Sequence, residues 1–390
     1  MRAAFAALLL GWLAVAAASV PASGAGTFVI PVDLPLTGSA GFFGQSEAQI
    51  LRIYQNLANA QHGIHGVPLE FQFLDDQSSP QVALQLTGKA LANNPTVILG
   101  GGTVAACLAM APLVANGPVQ YCLSPAMHPA AGSFSFAGYI STEYIEMASV
   151  RYFRDKGWRR VGVIATTDAS GEQGAHDVIQ IIQSHFANDE SVVDVERFNP
   201  TDVSAAAQIA RLKASNPQVI IAMAAGAPFG TILRGLSDAG LDLPVNTSSA
   251  NTTPQQLAQY ASFLPTTLLA NGSIYNLRDV LRPGPLKDAC NELSRALQGS
   301  GMAPGATELL AWDAARLTVD ALRALPAGAS PQQLRDYIGT LHGYAGVNGL
   351  YDFRSGDQHG LTDSAVVVAR WDKQRKEMVA ASQAGGAPLK

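Results

Sequence analysis

The chain has 390 residues, of which 48% are hydrophobic and 14% charged, so it can bury a large core and is not a disordered chain. Its 25 Lys and Arg against 30 Asp and Glu give a net charge of −5, and the basic residues form no block beyond the short stretch 373–376. Nucleic acid is therefore excluded as the main partner, because phosphate binding needs clustered positive charge.

The N-terminus has the order of a secretory signal peptide. Arg2 precedes an uncharged apolar run at 3–18, and small, turn-prone residues follow at 19–26. A membrane anchor is the alternative, but the run is shorter than the roughly 20 residues that a bilayer needs and lacks a positively charged stop. We therefore expect residues 1–25 to be a cleaved signal peptide and the mature protein to be periplasmic.

Apolar, strand-like runs alternate with amphipathic, helix-like runs along the rest of the chain. The predicted strands are 27–32, 69–75, 96–99, 119–123, 160–165, 192–197, 219–224 and 267–274. The predicted helices are 45–60, 80–93, 142–156, 175–187, 203–215, 229–239, 306–324 and 331–341. A last hairpin-like pair is expected at 349–353 and 364–371. This alternation predicts parallel sheets with helices on both faces.

The length exceeds what one hydrophobic core usually serves, and the strand–helix pattern begins again near Trp158. We therefore predict an α/β fold with two doubly wound, Rossmann-like lobes and a ligand cleft between them. In such sheets ligands bind outside the carboxyl ends of the strands, so the loops at those ends are where function is expected.

The three cysteines are expected in an oxidising compartment, where neighbouring thiols pair. Cys107 opens a helical run and Cys122 ends the next apolar run, as neighbouring elements of one α/β unit would. We predict a Cys107–Cys122 disulfide and a free Cys290; the alternative is that the first two are simply small buried residues. No Cys or His has metal-ligand spacing, so no metal is expected.

Enzyme motifs are weak or missing. Gly100, Gly102 and Ala105 satisfy a GxGxxA dinucleotide pattern, but the acidic residue expected about 20 positions later is absent. The same turn leads into a helix start, which favours an anion such as a carboxylate. The sequence contains no GxxxxGK[ST], HExxH or GxSxG motif. These observations favour a binding protein without a cofactor over an enzyme.

Five segments resemble the periplasmic solute-binding proteins of ABC importers, specifically the leucine/isoleucine/valine-binding, type I class. The segments are VDLPLTGSAGFFGQ, GVPLEFQFLDDQSSPQVA, APLVANGPVQYCLSPA, RRVGVIATTDASGEQG and TILRGLSDAGL. Their order and spacing extend over essentially the whole mature chain. The resemblance implies two lobes joined by three hinge crossings, with lobe 1 at 26–143 and 276–347 and lobe 2 at 144–275 and 348–390.

The resemblance also implies which residues bind the ligand. They are Phe43, Thr103, Val104, Ala105, Ala126 and His128 in the first lobe, Ser170, Ala225 and Asn251 in the second, and Trp312. In relatives that bind amino acids, first-lobe N–H and hydroxyl groups hold the ligand's carboxylate. Here Ala126 offers a backbone N–H and Thr103 a hydroxyl, while His128 occupies a position that commonly bears a hydroxyl.

The second lobe departs from the amino-acid pattern. The loop after Pro244 contains no acidic residue to neutralise an ammonium, and Ser170 and Ala225 replace two aromatic residues. An unpaired buried ammonium is costly, so we expect a bulkier carboxylic acid, aromatic or hydroxylated, with Phe43 and Trp312 as stacking walls. Each of these residues also has a purely structural interpretation. Phe43 and Trp312 can be core aromatics, and His128 can form a hydrogen bond within its own loop. Ser170 and Asn251 can be turn residues.

The expected function is the substrate-binding component of an ABC importer. It captures a small organic solute by lobe closure, and its partners are that solute and an inner-membrane permease, with the protein itself a monomer. The alternatives are a ligand-sensing receptor subunit, a branched-chain amino acid binder and a secreted enzyme that uses the same cleft.

Overall fold

The computed structural model describes residues 26–389, and the predicted signal peptide lies outside this range. Two sheets of mainly parallel strands, each covered by helices, form two lobes, as the strand–helix alternation predicted. Within the described range, none of the helices combines the length and the apolar character needed to cross a bilayer.

The first lobe is built on a five-stranded parallel sheet with strand order β2-β1-β3-β4-β5. Its elements are β1 (Phe28–Leu34), α1 (Gly41–Ala60), β2 (Leu69–Asp75), α2 (Pro80–Leu91), β3 (Val97–Gly100), α3 (Val104–Met110), β4 (Val119–Cys122) and β5 (Ser135–Ala137). Every residue of β3 and β4 is buried, as expected for strands covered on both faces.

The second lobe continues the alternation. Its elements are α4 (Thr142–Asp155), β6 (Arg160–Thr166), α5 (Ala169–Ile181), β7 (Ser191–Phe198), α6 (Ala206–Ala214), β8 (Val219–Met223), α7 (Ala227–Asp238), β9 (Val245–Thr247), α8 (Pro254–Gln259) and β10 (Leu268–Gly272). Strands β10, β9, β8, β6 and β7 are neighbours in this order and run parallel.

The last third of the chain serves both lobes. It contains α9 (Pro285–Ala296), α10 (Ala306–Ala324), α11 (Pro331–Thr340), β11 (His342–Ala345), β12 (Leu350–Asp352), β13 (Val367–Asp372) and β14 (Glu377–Ala384). Helices α9 to α11 pack on the first-lobe core through Leu293, Trp312 and Leu334. Strands β13 and β14 add antiparallel to the edge of the second-lobe sheet.

The hairpin expected between 349–353 and 364–371 is wrong. Strand β12 pairs with β11, and β13 pairs with β10 and β14. The physical reason is burial: Tyr351 and Phe353 are apolar anchors of the first-lobe core, whereas Val367 and Val368 are buried in the second-lobe sheet.

A buried carboxyl group ties the segment around β12 to the first lobe. Asp313 of α10 accepts hydrogen bonds from the backbone N–H groups of Val347 and Asn348, both at 2.9 Å, and from the Tyr351 hydroxyl at 3.0 Å. We therefore propose that the third crossing between the lobes lies near Asp363, later than the 347/348 boundary expected from the resemblance.

The predicted Cys107–Cys122 disulfide is confirmed. Cys107 lies on α3 and Cys122 at the end of β4, and both side chains are buried. The bond joins helix and strand directly beneath the loops that follow β3 and β4. Cys290 on α9 is free and buried.

Candidate ligand-binding site

A cleft lies between the lobes, where the carboxyl ends of the parallel strands of both sheets face each other. It holds about 1040 Å³ of space, including the part open to solvent, which is of the order of a small-molecule site. The first lobe contributes residues after β1, β3 and β4, and the second lobe contributes residues after β6, β8 and β9. This is the position that doubly wound sheets use for ligands.

The first-lobe wall contains Phe43, Thr103 and Ala126. Phe43 is buried on α1, in edge-to-face contact with Phe42 at 4.1 Å between ring centroids. The Thr103 hydroxyl accepts a hydrogen bond from the Ala106 backbone N–H at 3.3 Å and so caps α3. Three of the residues implied in this lobe thus line the cleft together.

The glycine-rich turn before α3 brings backbone close to other groups. A Cβ atom at Gly102 would lie 2.6 Å from Pro35 Cδ and 3.1 Å from Oε2 of Glu47, so a side chain cannot be accommodated without movement. The pattern that resembles a dinucleotide fingerprint is therefore explained by close packing against the chain after β1 and against Glu47.

The second-lobe wall is formed largely by small residues. Ser170 in the first turn of α5, Ala225 after β8, and Ser248 and Ser249 after β9 line the cleft. Ser170 and Ala225 are the two positions where the sequence resemblance implied that small residues replace aromatic ones. Their small side chains leave this wall with room for a ligand group.

Trp312, Val104 and Ala105, which the resemblance implied as ligand-binding residues, do not line the cleft. Trp312 is fully buried, edge-to-face with Tyr54 at 5.1 Å between ring centroids, so it is a core aromatic rather than a stacking wall. Val104 packs beside the Cys107–Cys122 disulfide, and Ala105 lies on α3 outside the lining.

His128 and Asn251 also lie outside the lining but contact residues around it. Asn251 is fully buried; it accepts a hydrogen bond from the Gly226 N–H at 3.0 Å and donates to the Ala224 carbonyl at 2.7 Å. It therefore holds the turn beside Ala225 in place. His128 contacts Asp177 of the other lobe at the edge of the cleft.

The hinge region contributes Tyr139, which precedes α4, and Asn271 at the end of β10. The Asn271 amide donates to the Tyr139 hydroxyl at 3.3 Å, and its carbonyl oxygen accepts from the Ser249 N–H at 2.9 Å. Burial raises the pKa of the Tyr139 hydroxyl above its ordinary value. These bonds connect two of the chain segments that cross between the lobes, at Tyr139 and Asn271, with the loop after β9.

Two glutamates in the cleft wall were missed by the sequence analysis. Glu47 lies on α1 and Glu146 on α4, and their side chains are buried. Burial raises the pKa of Glu146 to about 8, and the nearby Asp177 carboxyl adds to the shift. Burial also raises the pKa of Glu47 well above its ordinary value, and the carboxyl of Glu308 adds to it.

The signal for these residues was a single acid inside an otherwise apolar helical face, as in the IEMASV segment around Glu146. From the resemblance, an acid that neutralises an ammonium was expected in the loop after Pro244. That loop does line the cleft through Ser248 to Ala250, which carry no charge.

Comparison with known proteins agrees with this architecture. A family model described as "Periplasmic binding protein" matches residues 27–376. No curated protein sequence matches the chain significantly.

Many solved structures are similar in fold. An extracellular ligand-binding receptor from Rhodopseudomonas palustris HaA2 has a TM-score of 0.80 at 17% identity, covering 91% of this chain and 99% of that one. The leucine-binding protein LivK from Thermotoga maritima MSB8 has a TM-score of 0.75 at 18% identity, with coverages of 91% and 97%. A fatty acid ABC transporter substrate-binding protein from Thermomonospora curvata has a TM-score of 0.74 at 16% identity, with coverages of 92% and 90%. At these identities the likeness is one of fold.

Proposed function

This chain belongs to the periplasmic binding protein family, and we propose that it captures a small organic solute by closing its two lobes and delivers it to an ABC permease. The observation that carries the proposal is the cleft itself, because both lobes contribute walls to one space. The family is extracytoplasmic and its members are binding proteins. Export through a cleaved signal peptide and a monomeric state are parts of the proposal.

Contacts across the cleft support lobe closure. His128 of the first lobe lies beside Asp177 of the second, and Gly226 of the second lobe lies beside Phe42 of the first. A ligand that touches both walls favours the state in which the walls are close, so binding shifts the protein towards this closed form. Separation of the lobes would let the ligand enter and leave.

The chemistry of the lining supports capture rather than turnover. Among the described residues that line the cleft there is no histidine, cysteine, lysine or arginine. Apolar side chains such as Leu123, Ile145 and Leu310 alternate with hydroxyl groups and with the two glutamates. The sequence predicted a carboxylate ligand, which would accept hydrogen bonds from the Ala126 N–H and the Thr103 hydroxyl. Carboxylic acids are therefore included in the binding test.

The test measures binding and closure together. We expect a solute from a broad panel of amines, amino acids, carboxylic acids, amides and polyols to raise the melting temperature of the mature chain and to lower its radius of gyration in X-ray scattering. The Ala225→Trp variant fills the second-lobe wall and should lose this response without losing stability. Ala258→Trp, an exposed position on α8, is the matched control.

Delivery is tested in the organism that encodes the protein. Deletion of the gene should abolish uptake of the solute, and the wild-type chain should restore uptake while Ala225→Trp does not. If no solute of the panel both stabilises the protein and closes the lobes, capture by closure is wrong. If a solute closes the lobes but its uptake is unchanged by the deletion, delivery is wrong and a sensory receptor is favoured.

A further inference from the structure

Glu47 and Glu146 are buried carboxyl groups without partners in the wall of the cleft. Glu47 is 2% and Glu146 3% exposed, and Oε2 of each has no hydrogen-bond partner within residues 26–389. Buried polar atoms in folded proteins are nearly always hydrogen-bonded, and a buried acid without a donor is costly. Both residues line one cleft, so a ligand bound there is in position to satisfy these carboxyl groups.

The surroundings of both glutamates are acidic. The charged group that acts on Glu146 is Asp177, and those that act on Glu47 are Glu308 and Asp76. Asp177 is itself engaged by the Gln173 amide, which donates to it at 2.8 Å, and by His128. No positively charged side chain among the described residues lines the cleft. Because burial raises the pKa of both glutamates, a cationic ligand group would be needed to hold them in the ionised form, and no side chain of the described lining supplies that positive charge.

We infer that the ligand carries a cationic nitrogen, as in a protonated amine or amidine, and that Glu146 accepts its N–H bonds while Glu47 provides a second carboxyl on the first-lobe wall. The inference rests on the proposed function and names the chemical class of the solute. Hydrogen bonds between a carboxylate and a cationic N–H group are roughly twice as strong as neutral ones, and an ammonium has three donors to share.

The positions of the two acids suit a closing cleft. Glu146 lies near the start of α4, directly after the first crossing between the lobes, and Glu47 lies on α1 of the first lobe. A ligand that contacts both carboxyl groups would link the hinge helix to the first-lobe wall. The apolar remainder of the ligand would lie against Phe43, Leu310 and Met223. The loop after Pro244 needs no acid in this case, because Glu146 and Glu47 supply the counter-charge for the ligand.

The test uses matched probes that share one apolar body and differ in charge. They are phenethylamine, phenylalanine, 3-phenylpropanamide and 3-phenylpropionate, with isopentylamine, leucine and 4-methylpentanoate as the aliphatic set. Calorimetry on the mature wild-type chain should show that the probes with an ammonium bind at least tenfold tighter than the carboxylates without one. Preference for the carboxylates, or no binding by any amine probe, overturns the inference.

Substitution then assigns the role to Glu146. In Glu146→Gln, affinity for the ammonium probes should fall by about tenfold to a hundredfold, the usual range for a charged hydrogen bond, while affinity for the neutral amide changes less than twofold. Asp155→Asn, at an exposed acid on the same helix, should change neither. An equal loss for the amide would mean a structural role and overturns the assignment.

Misfolding of a variant, a wrong ligand class and a wrong function give different results. If Glu146→Gln does not fold, the wild-type ranking of probes still decides whether the ligand is cationic, and Glu47→Gln tests the carboxyl on the first-lobe wall. If an anion or neutral compound from the broad panel closes the lobes while every amine fails, the cationic ligand is wrong and the proposed function stands. If no compound closes the lobes, the proposed function itself fails.

Discussion

The Nε2 atom of His128 lies 3.5 Å from Oδ2 of Asp177, and the two side chains belong to opposite lobes. His128 follows β4 in the first lobe, and Asp177 lies on α5 of the second. Separation of the lobes would break this contact. The contact therefore exists only in the closed form. The equilibrium between open and closed forms thus depends on the protonation of His128.

The His128 imidazole lies near three carboxyl groups and a second histidine. The contact with the Asp177 carboxyl raises the pKa of His128, partial burial opposes the shift, and the carboxyls of Glu143 and Asp357 add to the increase. The His359 ring lies with its centroid 6.0 Å away, and burial lowers the pKa of that histidine. The protonated form of His128 is therefore favoured in the closed state.

We predict that this pair makes closure depend on pH. The pKa of His128 in the closed form is above its ordinary 6.5, so its contribution is fully present below that value and is lost as pH rises through the raised one. A half-exposed ion pair contributes about 0.2–1 kcal/mol, so ligand affinity should fall by up to about fivefold. Calorimetry between pH 5.5 and roughly pH 8.5, on either side of the histidine range, measures it.

The control for this prediction removes a different histidine. His128→Ala should flatten the pH dependence relative to the wild type, whereas His176→Ala, an exposed histidine on α5, should leave it unchanged. The comparison between variants separates His128 from any titration of the ligand or of the buried glutamates. Identical pH profiles for the wild type and His128→Ala would contradict the prediction.

Gly226 tests closure by steric means. Its φ of 73° is left-handed, and a Cβ atom there would lie 3.3 Å from the Phe42 ring of the other lobe. We expect Gly226→Ala to weaken ligand binding about tenfold, because the methyl group meets the facing lobe in the closed form. The roughly 1–2 kcal/mol of backbone strain that it also causes should lower the free energy of unfolding. Calorimetry and X-ray scattering with ligand measure the loss of closure.

Gly240 provides a matched control on the same lobe. Its φ of 64° is also left-handed, but a Cβ atom there would have no neighbour within 4 Å. Gly240→Ala should therefore lower the free energy of unfolding by a similar amount while leaving ligand affinity unchanged. Equal affinity losses in the two variants would show that backbone strain, and not contact between the lobes, is responsible.

The Cys107–Cys122 disulfide should contribute strongly to stability. It closes a loop with a sequence separation of 15, for which loop-closure entropy predicts roughly 3 kcal/mol. We expect Cys107→Ala/Cys122→Ala to lower the free energy of unfolding by about this amount in urea titrations. Dithiothreitol should destabilise the wild type and the Cys290→Ala control, and it should not affect the double variant. A wild type that is insensitive to reductant would contradict the prediction.

Asp313 should be the most sensitive acid of the first lobe. Besides its three bonds to Val347, Asn348 and Tyr351, it accepts a bond from the Asn348 side-chain amide at 2.8 Å. Asp313→Asn replaces an acceptor oxygen by a donor, so we expect a loss of about 2–3 kcal/mol in the free energy of unfolding. Asp336→Asn, on the exposed face of α11, should stay within about 0.5 kcal/mol of the wild type. Equal stabilities in urea would refute the anchoring role.

Much of the fold was predictable because element type is a local property of the sequence. The bounds predicted for β2 and α10 match the structure at both ends, and the family expected from the five resembling segments is confirmed. Short elements such as β5 and β9, with three residues each, were missed since so few residues carry no clear periodicity.

The candidate site was predictable where function depends on loops at strand ends. Phe43, Thr103, Ala126, Ser170 and Ala225 all line the cleft, since the parallel topology brings those ends together. In contrast, the sequence could not show that Trp312 lies inside the core.

What the sequence determined by itself is therefore the type and order of the elements, the family and the disulfide partners, because each depends on periodicity, segment order or neighbouring elements. Tertiary structure alone decided that β12 pairs with β11, that His128 reaches Asp177, and that Glu47 and Glu146 face one cleft. These relationships join residues far apart in the chain. They depend on which helix face and which strand edge meet after packing, and no local pattern encodes that choice.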